Sequence, residues 1–249
     1  DPARREDALL DVMPDDPKFT YDIHEVIDLI ADNGEFFELK ADFAPNMVTG
    51  FARFDGRVTG IAASNPDELS GIMEPDSSDK YDRFIMFLDA FNIPLLTISD
   101  TPAYPPGDKW ERRGVIRHGA KNLHGYSHLT NPKVTLVLRR SYGGSNIVMG
   151  CSKMGPDFIY GWPSTEFAPT GPESIVQAVF HKELEKAKQA LGVKGEANPR
   201  IRAAIADLKK AGIKYFVIPV PPMGYAEFNR EKRSLTMSED LEGLCEVLT

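Results

Sequence analysis

Residues 134 to 149, VTLVLRRSYGGSNIVM, constrain the fold of this chain more than any other stretch. Five apolar or β-branched residues, Val134 to Leu138, predict a strand that is buried on both faces. The apolar pattern then breaks at Gly143-Gly144 and resumes in a segment that can open a helix. The stretch therefore predicts a buried strand, a glycine turn and a helix start, in that order.

The predicted glycine turn has a chemistry of its own. Gly144 has no Cβ, so a ligand can lie against the main chain there, and the amides that follow point out of a helix N-terminus with partial positive charge. Such amides suit an oxygen that becomes negative, and one preorganised donor is worth about 3–4 kcal/mol of barrier in acyl-transfer enzymes. The alternative is a tight turn that binds no ligand, because Gly-Gly pairs are common turn formers.

Composition narrows the class of protein. The chain has 249 residues and is 42% hydrophobic, enough for one large domain or two small ones with a full core. A net charge of −8 argues against a nucleic-acid partner, which needs clustered positive surface. The two cysteines, Cys151 and Cys245, have no metal-ligand spacing. No apolar run is long enough to span a bilayer and DPARREDALLD lacks a signal-peptide core, so we expect a cytoplasmic protein without a membrane span.

The remaining elements alternate between strands and helices. Residues 1–20 are acidic and proline-punctuated, which predicts a linker or arm. Asp55-Gly56 between two apolar runs predicts a β-hairpin of strands 48–54 and 58–63. The other predicted elements are a helix over 21–34, a helix over 79–91 capped by Asp79, a strand over 95–98, a helix over 109–129, a strand at 158–162, a loop over 167–172, and helices over 173–191 and 200–211 before a strand over 213–218. Short strands crossed over by helices predict an α/β fold.

Side-chain chemistry is sparse. His124 and His128 lie one helical turn apart and could bind a metal, but no carboxylate accompanies them at ligand spacing, so we expect no metal site. Glu166 is the best single acid candidate, although a structural hydrogen bond is the more common role for such a residue. No Gly-x-Ser-x-Gly elbow surrounds any of the candidate nucleophiles Ser141, Ser145 and Ser164. Backbone amides are therefore the stronger candidates for carrying chemistry.

Several stretches, taken together, resemble the carboxyltransferase subunits of biotin-dependent acyl-CoA carboxylases and decarboxylases. They are PNMVTGFARFDGRVTG (45–60), SDKYDRFIMFLDAFNIP (78–94), GVIRHGAK (114–121), residues 132–149 and WPSTEFA (162–168). The resemblance covers roughly residues 17–180 and the C-terminal half of that family's β-subunit. It implies a crotonase-like (ClpP/crotonase) superhelix of ββα units, with residues 21–193 forming the carboxyltransferase C-terminal domain and residues 194–249 a divergent C-terminal extension packed on it.

The resemblance also implies a reaction and its participants. The backbone amides of Gly144 and Ser145 would form an oxyanion hole for the ureido oxygen of carboxybiotin, where the family has a Gly-Ala pair. Other residues implied in binding biotin or substrate are Gly143, Tyr104, Pro102, Thr170 and Gly171. The biotin would arrive on a biotin carboxyl carrier protein, and the acyl-CoA substrate would be held by an N-terminal CoA-binding half, in a homo- or hetero-oligomer.

Two other functions remain open at this stage. The chain departs from the family pattern where Pro102-Ala103-Tyr104 replaces PGF and where Ser145 replaces alanine. A non-catalytic assembly subunit would explain those departures. A biotin-independent crotonase-fold hydratase or isomerase would need a carboxylate pair near the glycine turn, and only Glu166 is loosely placed for that.

Overall fold

The computed structural model describes residues 5–14 and 19–171, together with Ser174 and His181. The chain divides into two compact units, Asp1–Pro169 and Thr170–Thr249, and the fold described below is that of the first unit. The predicted helices over 173–191 and 200–211, the strand over 213–218 and the C-terminal extension lie outside the described residues, apart from Ser174 and His181. The predicted domain boundaries therefore stay predictions.

One mixed sheet forms the centre of the first unit. Its strands are β1 (Phe36–Leu39), β2 (Met47–Phe54), β3 (Arg57–Ser64), β4 (Leu95–Thr101), β5 (Lys133–Tyr142), β6 (Phe158–Gly161) and β7 (Glu166–Ala168). The order across the sheet is β1-β2-β3-β4-β5-β6, and β7 also pairs with β5. β2 is antiparallel to both β1 and β3, whereas every later pairing is parallel. The parallel half requires crossovers, and helices supply them.

The predicted hairpin is confirmed. β2 and β3 pair over their full lengths, from Met47 with Ser64 to Phe54 with Arg57. The two residues between them, Asp55 and Gly56, have φ values of 51° and 74°. Positive φ at both central residues is the geometry whose twist matches that of the flanking strands, which is why Asp-Gly predicts this turn.

The described helices are α1 (Leu9–Val12), α2 (Ile23–Ile30), α3 (Pro75–Ala90), α4 (Asp108–Arg112), α5 (Val115–His128) and α6 (Gly143–Val148). The prediction of one helix over 109–129 was wrong, because Gly114 adopts a left-handed conformation at φ 76° and separates α4 from α5. Helical periodicity continues across a single left-handed residue, so the sequence pattern does not reveal the break.

The predicted cap of the helix after the hairpin was also wrong. α3 begins at Pro75, and Glu74 caps it by accepting hydrogen bonds from the backbone amides of Asp76 and Ser77. Ser77 Oγ accepts in return from the amide of Glu74. Asp79 lies one turn inside the helix, where it accepts hydrogen bonds from side chains of α5.

The core lies on both faces of the sheet. On one face α3 and α5 pack through buried side chains that include Tyr81, Leu88 and Tyr126. On the other face α2 packs through Ile23, Val26 and Ile27. Successive residues of β3 and β5 alternate between these faces, so Val137 and Leu138 are each only 1% exposed. The prediction that the strand over 134–138 is buried on both faces is confirmed at Val137 and Leu138, whereas Val134 and Leu136 are half-buried.

A histidine ties α2 to the first strand and makes the stability of this edge depend on pH. The Nδ1 of His24 lies 2.6 Å from Oδ1 of Asp22, and its Nε2 lies 3.0 Å from Oε2 of Glu38. Burial lowers the pKa of His24, but the hydrogen bonds and charges of the two carboxylates outweigh burial and raise the pKa above its ordinary value of 6.5. The folded chain therefore holds this proton more tightly than the unfolded chain does.

We expect His24→Gln to destabilise the chain most at acid pH. A raised folded pKa gives stabilisation that is complete below the unfolded pKa of 6.5 and is lost as pH rises through the folded value. Urea midpoints of wild type and variant should therefore differ more at about pH 5.5 than at about pH 8.5. His128→Gln, at the exposed end of α5, is the control. The difference between its urea midpoint and that of wild type should be the same at both pH values. A difference that stays constant between the two pH values would contradict this assignment.

Candidate functional site

The predicted strand, glycine turn and helix start are confirmed. β5 continues four residues past Leu138, to Tyr142, and α6 begins at the next residue. Gly143 has a φ of 57°, a conformation that side-chain-bearing residues rarely adopt. A Cβ at this position would also lie 3.0 Å from the carbonyl oxygen of Pro169. Glycine is therefore required where the chain turns from strand to helix.

The two amides that follow the turn have no hydrogen-bond acceptor within the part of the chain that the structure describes. Tyr142 occupies the N-cap position of α6 but gives no side-chain cap. Within residues 5–14 and 19–171, no acceptor is hydrogen-bonded to the amide of Gly144 or Ser145. Gly144 is exposed and Ser145 is fully buried. Both amides belong to the first turn of α6, where backbone donors have no intrahelical acceptor and can bind an added one.

An aromatic ring stands beside the turn. A Cβ at Gly144 would lie 3.3 Å from Cδ2 of Tyr104, so the ring and the glycine are in close contact. The Tyr104 hydroxyl accepts a hydrogen bond of 3.1 Å from Nδ2 of Asn122. Burial raises the pKa of Tyr104 to about 12, so the phenol is neutral near pH 7. The ring therefore presents an uncharged surface next to any ligand that binds the amides.

The structure brings some of the predicted binding residues together and leaves others as predictions. Gly143, Gly144, Ser145 and Tyr104 lie at one site. Pro102 lies in the same proline-rich loop as Tyr104 and is half-buried. The remaining two predicted residues, Thr170 and Gly171, belong to the second compact unit.

The pairing of β4 and β5 shifts register just before the turn. Ser99 pairs with Val137, and the next recorded pair is Thr101 with Ser141. Between these two pairs β4 contains one residue, Asp100, whereas β5 contains three, so β5 forms a bulge opposite Asp100. Bulges of this kind bend a strand and occur next to functional sites, where they redirect the chain.

The Asp100 carboxylate holds this bulge. Oδ2 accepts hydrogen bonds of 3.0 Å from both the Tyr21 hydroxyl and Nε of Arg139. Oδ1 accepts from the backbone amide of Arg140 at 3.1 Å and from Nε of Arg140 at 2.8 Å. The Asp100 side chain is 0% exposed, so the two arginines supply the charge that makes its burial tolerable. The network fixes the last residues of β5, from which the turn departs.

Sequence reasoning missed Asp100. The available signal was an acidic residue directly after one buried strand and an Arg-Arg pair directly after another, since carboxyl ends of parallel strands meet at one edge of a sheet.

Glu166 supports the turn from the other side. It lies in β7, where the pairing with β5 runs from Arg140 with Glu166 to Tyr142 with Ala168. Its carboxylate accepts a hydrogen bond from the Tyr142 hydroxyl. Burial, followed by this carboxylate, raises the pKa of Tyr142. The structural role anticipated for Glu166 is confirmed, and the predicted loop over 167–172 begins instead as strand.

The other candidate side chains have local roles. The rings of His124 and His128 stack with centroids 4.1 Å apart, and Nδ1 of His128 lies 2.8 Å from the carbonyl oxygen of His124. The part of the chain that the structure describes contains no group of three or more His, Cys, Asp or Glu residues able to hold a metal. None of its helices is both long and apolar enough to cross a bilayer.

The three candidate serines all donate to acceptors within the chain. The acceptors are Asn146 Oδ1 for Ser141, the Tyr142 carbonyl for Ser145 and the Leu138 carbonyl for Ser164.

Comparison with known proteins identifies the family. The model of the carboxyl transferase domain matches residues 1–220. The chain belongs to the carboxyl transferase domain family. This carboxyl transferase domain is 42% identical over 200 residues to methylmalonyl-CoA decarboxylase subunit alpha of Veillonella parvula, covering 80% of this chain and 39% of that relative. It is 44% identical over 188 residues to the methylmalonyl-CoA carboxyltransferase 12S subunit of Propionibacterium freudenreichii subsp. shermanii, covering 76% and 36%.

Solved structures agree with this assignment. A crystal structure of transcarboxylase 12S with methylmalonyl-coenzyme A and methylmalonic acid bound superposes with a TM-score of 0.73 at 39% identity, over 86% of this chain and 40% of that chain. That work describes a hexamer assembly and substrate binding to a multienzyme core. The predicted family and the crotonase-like α/β fold are confirmed. This carboxyl transferase domain spans about two fifths of the length of these relatives.

Proposed function

We propose that this carboxyl transferase domain is the biotin-binding half of an acyl-CoA carboxyltransferase or decarboxylase, and that the amides of Gly144 and Ser145 stabilise the ureido oxyanion of biotin. The observation that carries the proposal is the pair of amides without an acceptor among the described residues, beside the Tyr104 ring, in a chain of this family. Methylmalonyl-CoA and propionyl-CoA enzymes among the relatives support an acyl-CoA substrate.

The residues present fit a biotin ring. The ureido ring of biotin is nearly planar and is fused to an apolar thioether ring, and its one strong acceptor is the ureido oxygen. Exposed Gly144 leaves main chain uncovered where a flat group can lie, and the neutral Tyr104 ring gives it an apolar neighbour. The amide of buried Ser145 has no acceptor among the described residues, which leaves it as a donor for an added acceptor. The site thus offers what such a ring needs.

Carboxybiotin, when bound, supplies the carboxyl group and leaves negative charge on its ureido oxygen as that group departs. The Gly144 and Ser145 amides are fixed donors that require no rearrangement when the charge forms, which is the condition for strong electrostatic stabilisation. The Asp100 network and the Tyr142–Glu166 hydrogen bond hold the strand that positions them. No side chain of the chain has to ionise at the ureido oxygen, since Tyr104 stays neutral.

The reaction needs components beyond this chain. Relatives are about two and a half times as long as the part matched here, so we infer that an N-terminal CoA-binding half supplies the acyl-CoA site. A biotin carboxyl carrier protein would deliver the biotin. The hexamer described for the 12S subunit supports an oligomeric assembly of the two halves.

The proposed function is tested by reconstitution with the CoA-binding half. We expect the mixture, and neither half alone, to transfer a carboxyl group between methylmalonyl-CoA and free biotin, measured as acyl-CoA decarboxylation that depends on biotin. Hydration of crotonyl-CoA by the same mixture should stay at background. Transfer at background would reject the proposal; if the two halves nevertheless form a stable complex, the chain is an assembly subunit.

A further inference from the structure

The Tyr104 ring joins two helices that flank the candidate site. On one edge, a Cβ at Gly144 of α6 would lie 3.3 Å from Cδ2 of the ring. On the other edge, a Cβ at Gly119 of α5 would lie 3.0 Å from Cζ and 3.2 Å from the hydroxyl oxygen. A side chain at either glycine would push the ring, so the two glycines define a slot in which the ring fits.

The loop that carries the ring is itself held in place. Tyr104 follows Pro102 and precedes Pro105-Pro106, which restrict the main chain. The carbonyl oxygen of Ala103 accepts a hydrogen bond of 3.2 Å from the amide of Met73. With its main chain restrained, the Tyr104 ring is oriented by the slot between the two glycines and by the contact at its hydroxyl end.

Asn122 holds the hydroxyl end. This side chain is 0% exposed, and its Nδ2 donates to the Tyr104 hydroxyl at 3.1 Å. Its Oδ1 has no hydrogen-bond partner among the described residues. A buried side-chain amide with only one of its two polar atoms hydrogen-bonded lowers the stability of the fold. An asparagine placed next to Tyr104 despite this cost is therefore expected to contribute to function.

We propose that Asn122 is a positioning residue, which orients the Tyr104 ring through its hydroxyl and thereby sets the width of the biotin-ring site beside Gly144. The assignment of the ring site to biotin rests on the proposed function given above. Asn122 touches no reacting atom, and its effect on binding passes through Tyr104.

The test compares four variants in the reconstituted enzyme. Asn122→Leu removes the donor at similar volume, Tyr104→Phe removes the acceptor and keeps the ring, and the double variant combines them. Asn131→Leu is the matched control: Asn131 is 1% exposed, its Nδ2 donates to the Ile93 carbonyl at 2.5 Å, and its Oδ1 is likewise unpaired. Asn131 precedes β5, at the opposite end of that strand from the turn.

We expect each of Asn122→Leu and Tyr104→Phe to raise KM for free biotin about fivefold, the value of one net hydrogen bond, with little change in kcat because the amide donors remain. The double variant should match the single variants, because both remove the same interaction. Additive effects in the double variant, or an Asn122→Leu variant that behaves like Asn131→Leu, would overturn the proposal.

A second measurement separates this proposal from the proposed function. Hydrogen–deuterium exchange of residues 143–148 in the chain alone requires no activity. Exchange there should be about fivefold faster in Asn122→Leu and Tyr104→Phe than in wild type and Asn131→Leu, because a mobile ring no longer supports the turn. Faster exchange without any carboxyl transfer by the wild type would support the positioning role and reject the biotin assignment. Unchanged exchange in both variants would reject the positioning role.

Discussion

Replacing Gly144 by proline is expected to lower kcat for carboxyl transfer about a hundredfold relative to Gly144→Ala, because loss of one oxyanion donor costs about 10²–10³ in rate. Proline removes the amide hydrogen at this position and is tolerated in the first turn of a helix. Alanine keeps the amide and adds the same Cβ, which lies 3.3 Å from Tyr104 Cδ2. The ratio of the two variants therefore reports the loss of the N–H group together with the proline ring that replaces it, with the effect of the Cβ cancelled.

Two further measurements make this comparison decisive. Thermal unfolding should show that both variants are folded to a similar extent. KM for the acyl-CoA should be unchanged in both, since that substrate is proposed to bind the other half. Equal kcat values for Gly144→Pro and Gly144→Ala would show that the amide is not a donor in the reaction, and the oxyanion assignment would then be withdrawn.

Replacing Asp100 by asparagine is expected to destabilise the chain by about 3–5 kcal/mol, the usual cost of leaving a buried charge without its partner. Arg139 and Arg140 side chains are only 5% and 16% exposed, so neither gains full hydration when the carboxylate is neutralised. The asparagine NH₂ group would also face an N–H donor of one arginine or the other, whichever way the amide is oriented.

Asp108→Asn is the matched control for Asp100. Asp108 pairs with Arg112 at 2.8 Å, but both side chains are more than three quarters exposed. Such surface pairs contribute little, so the variant should unfold like wild type. Urea unfolding followed by circular dichroism measures both. An Asp100→Asn variant as stable as Asp108→Asn would show that the buried network is not what holds the end of β5.

The sequence predicts those parts of the structure whose causes are local. The Asp55-Gly56 hairpin is recognisable because two residues with positive φ determine the turn. The turn at Gly143 is recognisable because a buried strand, a glycine pair and a helix start follow one another directly. A break caused by one left-handed residue, as at Gly114, leaves the periodic pattern intact and escapes detection.

Contacts between distant segments could not be predicted in this way. Asp100 meets Tyr21 and Arg139 only because the sheet places three separate segments at one edge. The hydrogen bond between Asn122 and Tyr104 joins a helix to a proline-rich loop, and neither segment alone specifies the other. The amides of the candidate site were predictable since they depend on the local turn, whereas the residues that hold the turn were not.

The register shift between β4 and β5 limits how the length of this region can change during evolution. Side chains of a strand alternate between two faces, so an offset of two residues leaves the alternation intact, whereas an offset of one reverses it. Insertion or deletion of a single residue between Val137 and Ser141 that the bulge does not absorb would turn Tyr142 towards the opposite face of the sheet. Homologous chains should therefore differ in length here by even numbers of residues.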